Sequence, residues 1–139
     1  MSSGSGWSIQ PSREIRYAAY ERLVTNKNPS LGCSNNDILN IPIGLITADE
    51  MAYAGGTTTS ENQNYYLSTG QEYWTMTPSL AYNSGTAVNF WAGSSGWVFN
   101  FGTTVAYSRG IRPVINLRSD VTISSGNGTA SHPFVINTD

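Results

Sequence analysis

Few side chains in this sequence have the reach to do chemistry. Cys33 is its single cysteine and His132 its single histidine. A thiolate–imidazole pair would need the fold to unite them, and no third group is signalled to orient the imidazole. One cysteine closes no internal disulfide and supplies no multi-cysteine metal motif. It reads as a small buried apolar side chain, or as half of a bridge to a partner. No HExxH or CxxC motif is present, and GSSG and SSGNG do not lead from a strand into a helix, so they read as turns and not phosphate loops. Asp49 and Glu50 could serve as an acid–base pair, but Thr47-Ala-Asp-Glu50 has the spacing of a capping box, which gives them a structural task. Asp120 with Asn116 and Asn127 could offer calcium oxygens, or could be solvated loop residues. No catalytic residue, metal or cofactor is therefore assigned, and the chain is read as a non-enzyme.

Recognition is the better-supported chemistry. Residues 82–109, YNSGTAVNFWAGSSGWVFNFGTTVAYSR, contain no Asp, Glu, Lys, Gln or Met. Aromatic residues stand among Asn, Ser, Gly and Thr, the mixture binding loops use. Rigid rings supply contact area at low entropic cost, and small polar groups supply adaptable hydrogen bonds. The candidate ligand-binding residues are Tyr82, Asn83, Asn89, Trp91, Ser94, Ser95, Trp97, Asn100, Phe101, Thr103, Tyr107 and Arg109. On a strand, one parity of AVNFWA shows Asn89 and Trp91 while burying Val88, Phe90 and Ala92. Arg109 ends the tract and is expected to touch ligand, whereas Arg112 is expected to bridge internally to Glu50 or Glu72. Trp74 is expected in the core. The 57–64 loop is the alternative place for a site.

The elements that must position these residues follow from pattern. Ser12 can cap a helix through SREIRYAAYERLV, with Ile15, Ala19 and Leu23 on one face, ending before Asn28-Pro29. IPIGLI is a short strand, and ADEMAYA is a second helix stopped by Gly55-Gly56. YWTMT alternates as a strand that Pro78 ends. AVNFWA and WVFNF flank a turn at Gly93–Gly96, VAYS follows as a strand, and RGIRPVINL reads as one long strand with Pro113 at an edge or bulge. VTI and PFVI form a terminal hairpin. Helices before strands is the α+β order.

Composition narrows the partners. A chain of 139 residues fits one domain, taken as 11–139 with 1–10 a linker or leader. Charged residues make up 12% and the net charge is −2, so bulk electrostatics attract neither nucleic acid nor anionic lipid. Lys27 is the only lysine. No run approaches the roughly 18 apolar residues of a membrane span, so membrane attachment is expected only through a segment N-terminal to this one. MSSGSG lacks the apolar core of a signal peptide. Asn127-Gly-Thr129 fits a glycosylation acceptor. The lysine-poor, Asn/Ser/Thr/Gly/Tyr-rich composition suits an extracellular surface.

The segments YAAYERLVTNKNPSLGC, IGLITADEMAYAGG, YYLSTGQEYWTMTPS and GIRPVINLRSDVTISSGNGTASHPFVI together resemble a C-terminal domain of surface and pilin-like proteins of gut Firmicutes, over about residues 17–136. The resemblance implies a C-type-lectin-like α+β fold, with two N-terminal helices packed on a twisted antiparallel sheet and a hairpin-rich binding face. Members often carry a cysteine upstream of the first helix, where this chain has Ser12-Arg13-Glu14, so the implied disulfide to Cys33 is not expected. The segment is also similar to the variable proteins of diversity-generating retroelements, which place hypervariable residues between YWTMTPS and GIRPVINL. Adenine-directed mutation turns Asn codons into the residue types of this tract, its tryptophans being framework. A plain pair of hairpins rich in strand formers has the same composition. The implied function is extracellular adhesion to a protein or glycan on another cell, a phage or a host surface. Alternatives are a structural pilin-tip or phage-tail domain, and an oxidoreductase akin to formylglycine-generating enzymes, whose paired cysteines this chain lacks.

Overall fold

A computed structural model describes residues 14–32, 43–102, 104–129 and 131–137. Cys33, Ser12 and Thr103 lie outside the described residues. The first element among the described residues is strand β1, Glu14–Arg16, in place of the expected helix. The Glu-x-Arg alternation puts both charged side chains on one strand face, where Arg16 Nε donates to Glu14 Oε1 at 2.5 Å. β1 lies antiparallel to the end of β3 (Tyr73–Tyr82), with Glu14 opposite Tyr82 and Arg16 opposite Leu80. Tyr17 stays extended and donates its amide to the Ser79 carbonyl at 2.9 Å. Only then does the chain turn into helix α1, Ala18–Tyr20, which widens at once into a π-helical turn, Glu21–Thr25.

Strand β2, Ile43–Leu45, leads to α2, Ala48–Tyr53. The expected capping box is formed. Glu50 N donates to Thr47 Oγ1 at 3.1 Å, and Thr47 N donates to Glu50 Oε2 at 2.7 Å. Past the helix, Gly55 adopts φ of 110°, and the Gly55 and Gly56 amides close back on Ala52 and Met51. This paired closure satisfies the last carbonyls and needs glycine at the left-handed position.

The main sheet runs β1-β3-β4-β5, with β4 at Ala87–Ala92 and β5 at Val98–Phe99. Strand β6, Gly110–Ile111, pairs parallel to Tyr73 and Trp74 on the edge of β3 that β4 leaves free. β3 does not stop at Pro78. It continues to Tyr82, and the register shifts on both sides of Pro78 because proline has no amide to give the ladder. RGIRPVINL is likewise not one strand. Gly110–Ile111 stays with β3, while β7, Pro113–Ile115, leaves to pair with β2. VAYS, expected as a strand, is turn. β8 (Ile123–Ser125) and β9 (Val135–Ile136) make the expected terminal hairpin, with exposed side chains throughout.

The fold class therefore differs from the expected C-type-lectin-like α+β arrangement. The structure is mostly β, built on a curled antiparallel sheet, and no two N-terminal helices pack on that sheet. Among the described residues its α-helices are two short pieces, and such lengths hold only through tertiary contacts. The first expected helix gave residues 14–16 to β1, because the free edge of β3 offers backbone partners there. Ala19, Leu23 and Met51 contribute to a core otherwise carried by Tyr73, Phe90, Ala92 and Val98. The buried Thr75 and Ser79 hydroxyls are satisfied: Thr75 Oγ1 donates to the Phe90 carbonyl at 2.7 Å and Ser79 Oγ to the Asn100 carbonyl at 2.6 Å. Among the described residues no helix is long and apolar enough to cross a membrane.

Candidate ligand-binding face

Residues paired across a sheet share a face. Tyr73, Thr75, Phe90, Ala92 and Val98 point into the core. The opposite, outer face carries a row in which Ile111 pairs with Trp74, Trp74 with Trp91, and Trp91 with Phe99. The Trp91 and Phe99 rings stack at 4.2 Å and 9°, and Trp97 stacks on Phe99 at 4.8 Å. Trp74, expected in the core, is thus half-buried on the outer face.

A strap of residues 104–109 is fastened across this row. The Val105 amide donates to the Ala87 carbonyl at 3.0 Å at one end of β4. Midway, Trp74 Nε1 donates to the Tyr107 carbonyl at 3.2 Å. At the other end the Arg109 guanidinium lies 3.5 Å over the Trp91 ring and 5.3 Å from that of Trp74. Arg109 also forms an ion pair with Glu72, whose carbonyl receives the Gly110 amide. Burial pushes the Arg109 guanidinium below its ordinary value, but it remains a cation. The Arg109 side chain is 8% exposed and Trp91 is 7% exposed. Both are internal parts of the strap's anchorage, which corrects the expectation that they stand open to ligand.

The expected internal ion pair to Glu72 is made by Arg109 and not by Arg112. Arg109 holds the carboxylate. Arg112 instead donates from Nη1 to the Leu67 carbonyl at 3.0 Å and lies 5.5 Å from the Tyr73 ring, bracing the turn before β3.

The remaining candidates divide by position. Asn100 is buried at 2% and belongs to the scaffold. Asn89 is half-buried, its amide 3.4 Å from the Thr75 carbonyl. Half-buried Tyr82 and exposed Asn83 sit in the turn between β3 and β4, while exposed Ser94 and half-buried Ser95 sit in the turn between β4 and β5, beside half-buried Trp97. Those turns lie at opposite ends of β4, separated by roughly 20 Å at the rise of a strand. What stands fully in solvent near the strap is Phe101 at 51%, Val105 at 51% and Tyr107 at 63%. Val105, Trp74, Phe99 and Glu72 were not among the sequence-derived candidates. The alternation of Trp97 and Phe99 carried the signal for Phe99. Nothing local marks Glu72, whose partner lies far along the chain.

Elsewhere several titratable residues have structural partners. Asp49 accepts from Arg22 Nε at 2.8 Å, Arg22 Nη2 at 2.6 Å and the Ser30 amide at 2.8 Å. Burial alone would raise its carboxyl; these donors outweigh burial and hold it below the ordinary value. Asp120 pairs with Arg118, and Asn127 Oδ1 accepts from Thr129, so two of the three residues considered for calcium are engaged locally. His132 is exposed, with Nδ1 3.1 Å from Ser131 Oγ. No family model matches the chain, and neither a curated protein nor a solved structure matches it.

Proposed function

We propose that this chain is a ligand-binding module of the extracellular surface, gripping a protein or glycan on another cell, a phage or a host through the strap face. One observation carries the reading: Val105 and Tyr107 stand exposed on a strap held at Ala87, Trp74 and Trp91, and exposed Phe101 precedes that strap in the chain. Exposed anchors on a pre-organised support bind with little ordering cost. Recognition residues on loops over a rigid sheet are a recurrent solution. Asn83 and Tyr82 supply polar groups at the same end of β4 as Val105, while Ser94 and Ser95 lie too far off for one small footprint. Diversification by a retroelement belongs to this proposal, restricted to positions whose side chains reach solvent.

The test is direct. Beads displaying the protein are screened against a glycan array and against bacterial and host cell surfaces. The same is done with Phe101→Ser, Val105→Ser and Tyr107→Ser combined. The combined variant is expected to fold and to lose captured ligand, since each lost anchor costs roughly 2 kcal/mol or more. A folded variant that retains equal binding overturns the proposal.

A further inference from the structure

The core-facing side of β5, opposite the aromatic row, opens into a separate cavity of about 230 Å³. Its apolar walls are Leu23, Ala48, Ala52 and Val98, Thr58 lies along one side, and Lys27 stands at its rim. The walls are fastened independently of any occupant. The Val98 amide donates to the Thr57 carbonyl at 2.9 Å, and the Asn28 amide to the Arg22 carbonyl at 2.9 Å. Tyr53 Oη donates to the Pro29 carbonyl at 3.0 Å, and the Ser30 amide to Asp49. Gly56 completes the wall where a β-carbon would meet Val98 Cγ2 at 2.8 Å. Such a recess is preformed, and a largely apolar pocket with a few placed polar groups is the usual build of a small-molecule site.

Lys27 sets the charge of the occupant. It is the only lysine of the chain, and among the described residues the only non-glycine at positive φ, 52°. That position follows the π-helical turn, where glycine or asparagine commonly ends a helix. A lysine there costs backbone stability that glycine would not. Each described arginine has an anionic or carbonyl partner within the chain, in Glu14, Asp49, Glu72, Leu67 and Asp120. Among the described residues Lys27 has none. A strained position thus holds a lysine with no anionic partner among the residues that line an apolar recess.

From this we infer that the cavity is a binding site for a small monocarboxylate with an apolar body, its carboxylate at Lys27 and its hydrocarbon against Leu23, Ala52 and Val98. A cavity of about 150 Å³ suffices for benzene, so this one accommodates hexanoate or benzoate. A dianion is disfavoured, since a single ammonium meets the headgroup. The site is independent of the strap face, and its test reads neither Phe101 nor Tyr107.

The experiment titrates the ¹⁵N-labelled chain with hexanoate and, in parallel, with hexanamide, a neutral analogue of equal length. Hexanoate is expected to shift the amides of Ala52, Gly56, Thr58 and Val98 at millimolar concentration. Hexanamide is expected to bind there roughly tenfold more weakly, the share a charge-assisted hydrogen bond supplies. Lys27→Asn keeps a residue that tolerates positive φ and should erase the preference between the two ligands. Ala52→Leu should fill the recess and abolish the shifts for both; should it fail to fold, Lys27→Asn decides alone. Equal affinity for acid and amide overturns the inference, as does a preference that survives Lys27→Asn, or hexanoate shifts confined to residues away from the cavity.

Discussion

Removing the Arg109 side chain by Arg109→Ala attacks the strap at its anchor. The guanidinium sits 3.5 Å over an indole that is 7% exposed, so this cation–π contact is desolvated. Contacts of that kind are worth about 2 kcal/mol. The ion pair with Glu72 adds less, because Glu72 is 47% exposed and solvent screens it, leaving at most about 1 kcal/mol. The sum is about 2–3 kcal/mol, a substantial part of the roughly 5–15 kcal/mol that holds a domain together. For a chain of this size that lowers Tm by about 10 °C. Urea unfolding gives the free energy, and tryptophan emission gives its structural cause. Trp91 loses its cover, so emission should shift to the red before any unfolding. Arg109→Lys should recover only part of the loss, since an ammonium lacks the flat guanidinium that stacks. Glu72→Gln should cost about 1 kcal/mol or less. Arg112→Ala removes one hydrogen bond to the Leu67 carbonyl and should cost about 1 kcal/mol. A change under about 0.5 kcal/mol for Arg109→Ala, with unaltered emission, refutes the anchoring argument. So does a larger loss for Arg112→Ala than for Arg109→Ala.

Arg22→Ala leaves the Asp49 carboxylate buried with the Ser30 amide as its remaining named donor, and should cost about 3–5 kcal/mol at neutral pH by chemical denaturation. Because the folded Asp49 carboxyl is held below its unfolded value, this stability is complete above about pH 4 and is lost as pH falls through the folded value; the gap between wild type and variant should therefore close in acid. Sequencing of close copies of the locus should find substitutions at Asn83, Ser94, Phe101 and Tyr107 and sparing of Trp74, Trp91, Asn100 and Arg109. Substitutions spread evenly over residues 17–136 would remove the diversification part of the proposal. Asn100→Ala should destabilise by more than about 1 kcal/mol, whereas Tyr107→Ala should fall within about 0.5 kcal/mol, as thermal unfolding of the two single variants will show.

Local signals were legible where chemistry and spacing acted over a few residues. The Thr47–Glu50 capping box, the Gly55-Gly56 stop, the Gly93–Gly96 turn and the terminal hairpin all form as their residues dictate. The misread elements share one cause: a partner distant in sequence. Residues 14–16 have a helical apolar spacing, but the edge of β3 supplies backbone partners and wins. Pro78 breaks strands in isolation, yet β4 pairs with it at Asn89 and β1 joins β3 just beyond it, so the ladder absorbs it as a register shift. Ile111 and Val114 lie three residues apart in what reads as one strand, but β3 claims the first and β2 the second. The fold class followed from those three decisions, and so it was the fold class that the sequence reading missed.

The site shows the same limit more finely. Strand parity correctly sends Val88, Phe90 and Ala92 inward and Asn89 and Trp91 outward. Parity says which face a side chain occupies, but not whether another segment covers that face. The strap covers it, so Trp91 and Arg109 become mutual packing partners while exposure passes to Val105 and Tyr107. A tract without carboxylates or lysine has no salt bridge of its own with which to fix a loop. Its single arginine must borrow an acid from outside the tract, and Glu72, immediately before β3, is the acid it finds. That pairing couples the end of the tract to the sheet's central strand. Exposed positions can then vary in chemistry without loosening the strap, because none of its named anchors uses an exposed side chain: two are backbone groups and the third is the buried Arg109. Scaffold and surface are thus separated within one short stretch of chain, which is the physical condition a recognition loop must meet to change its ligand and keep its fold.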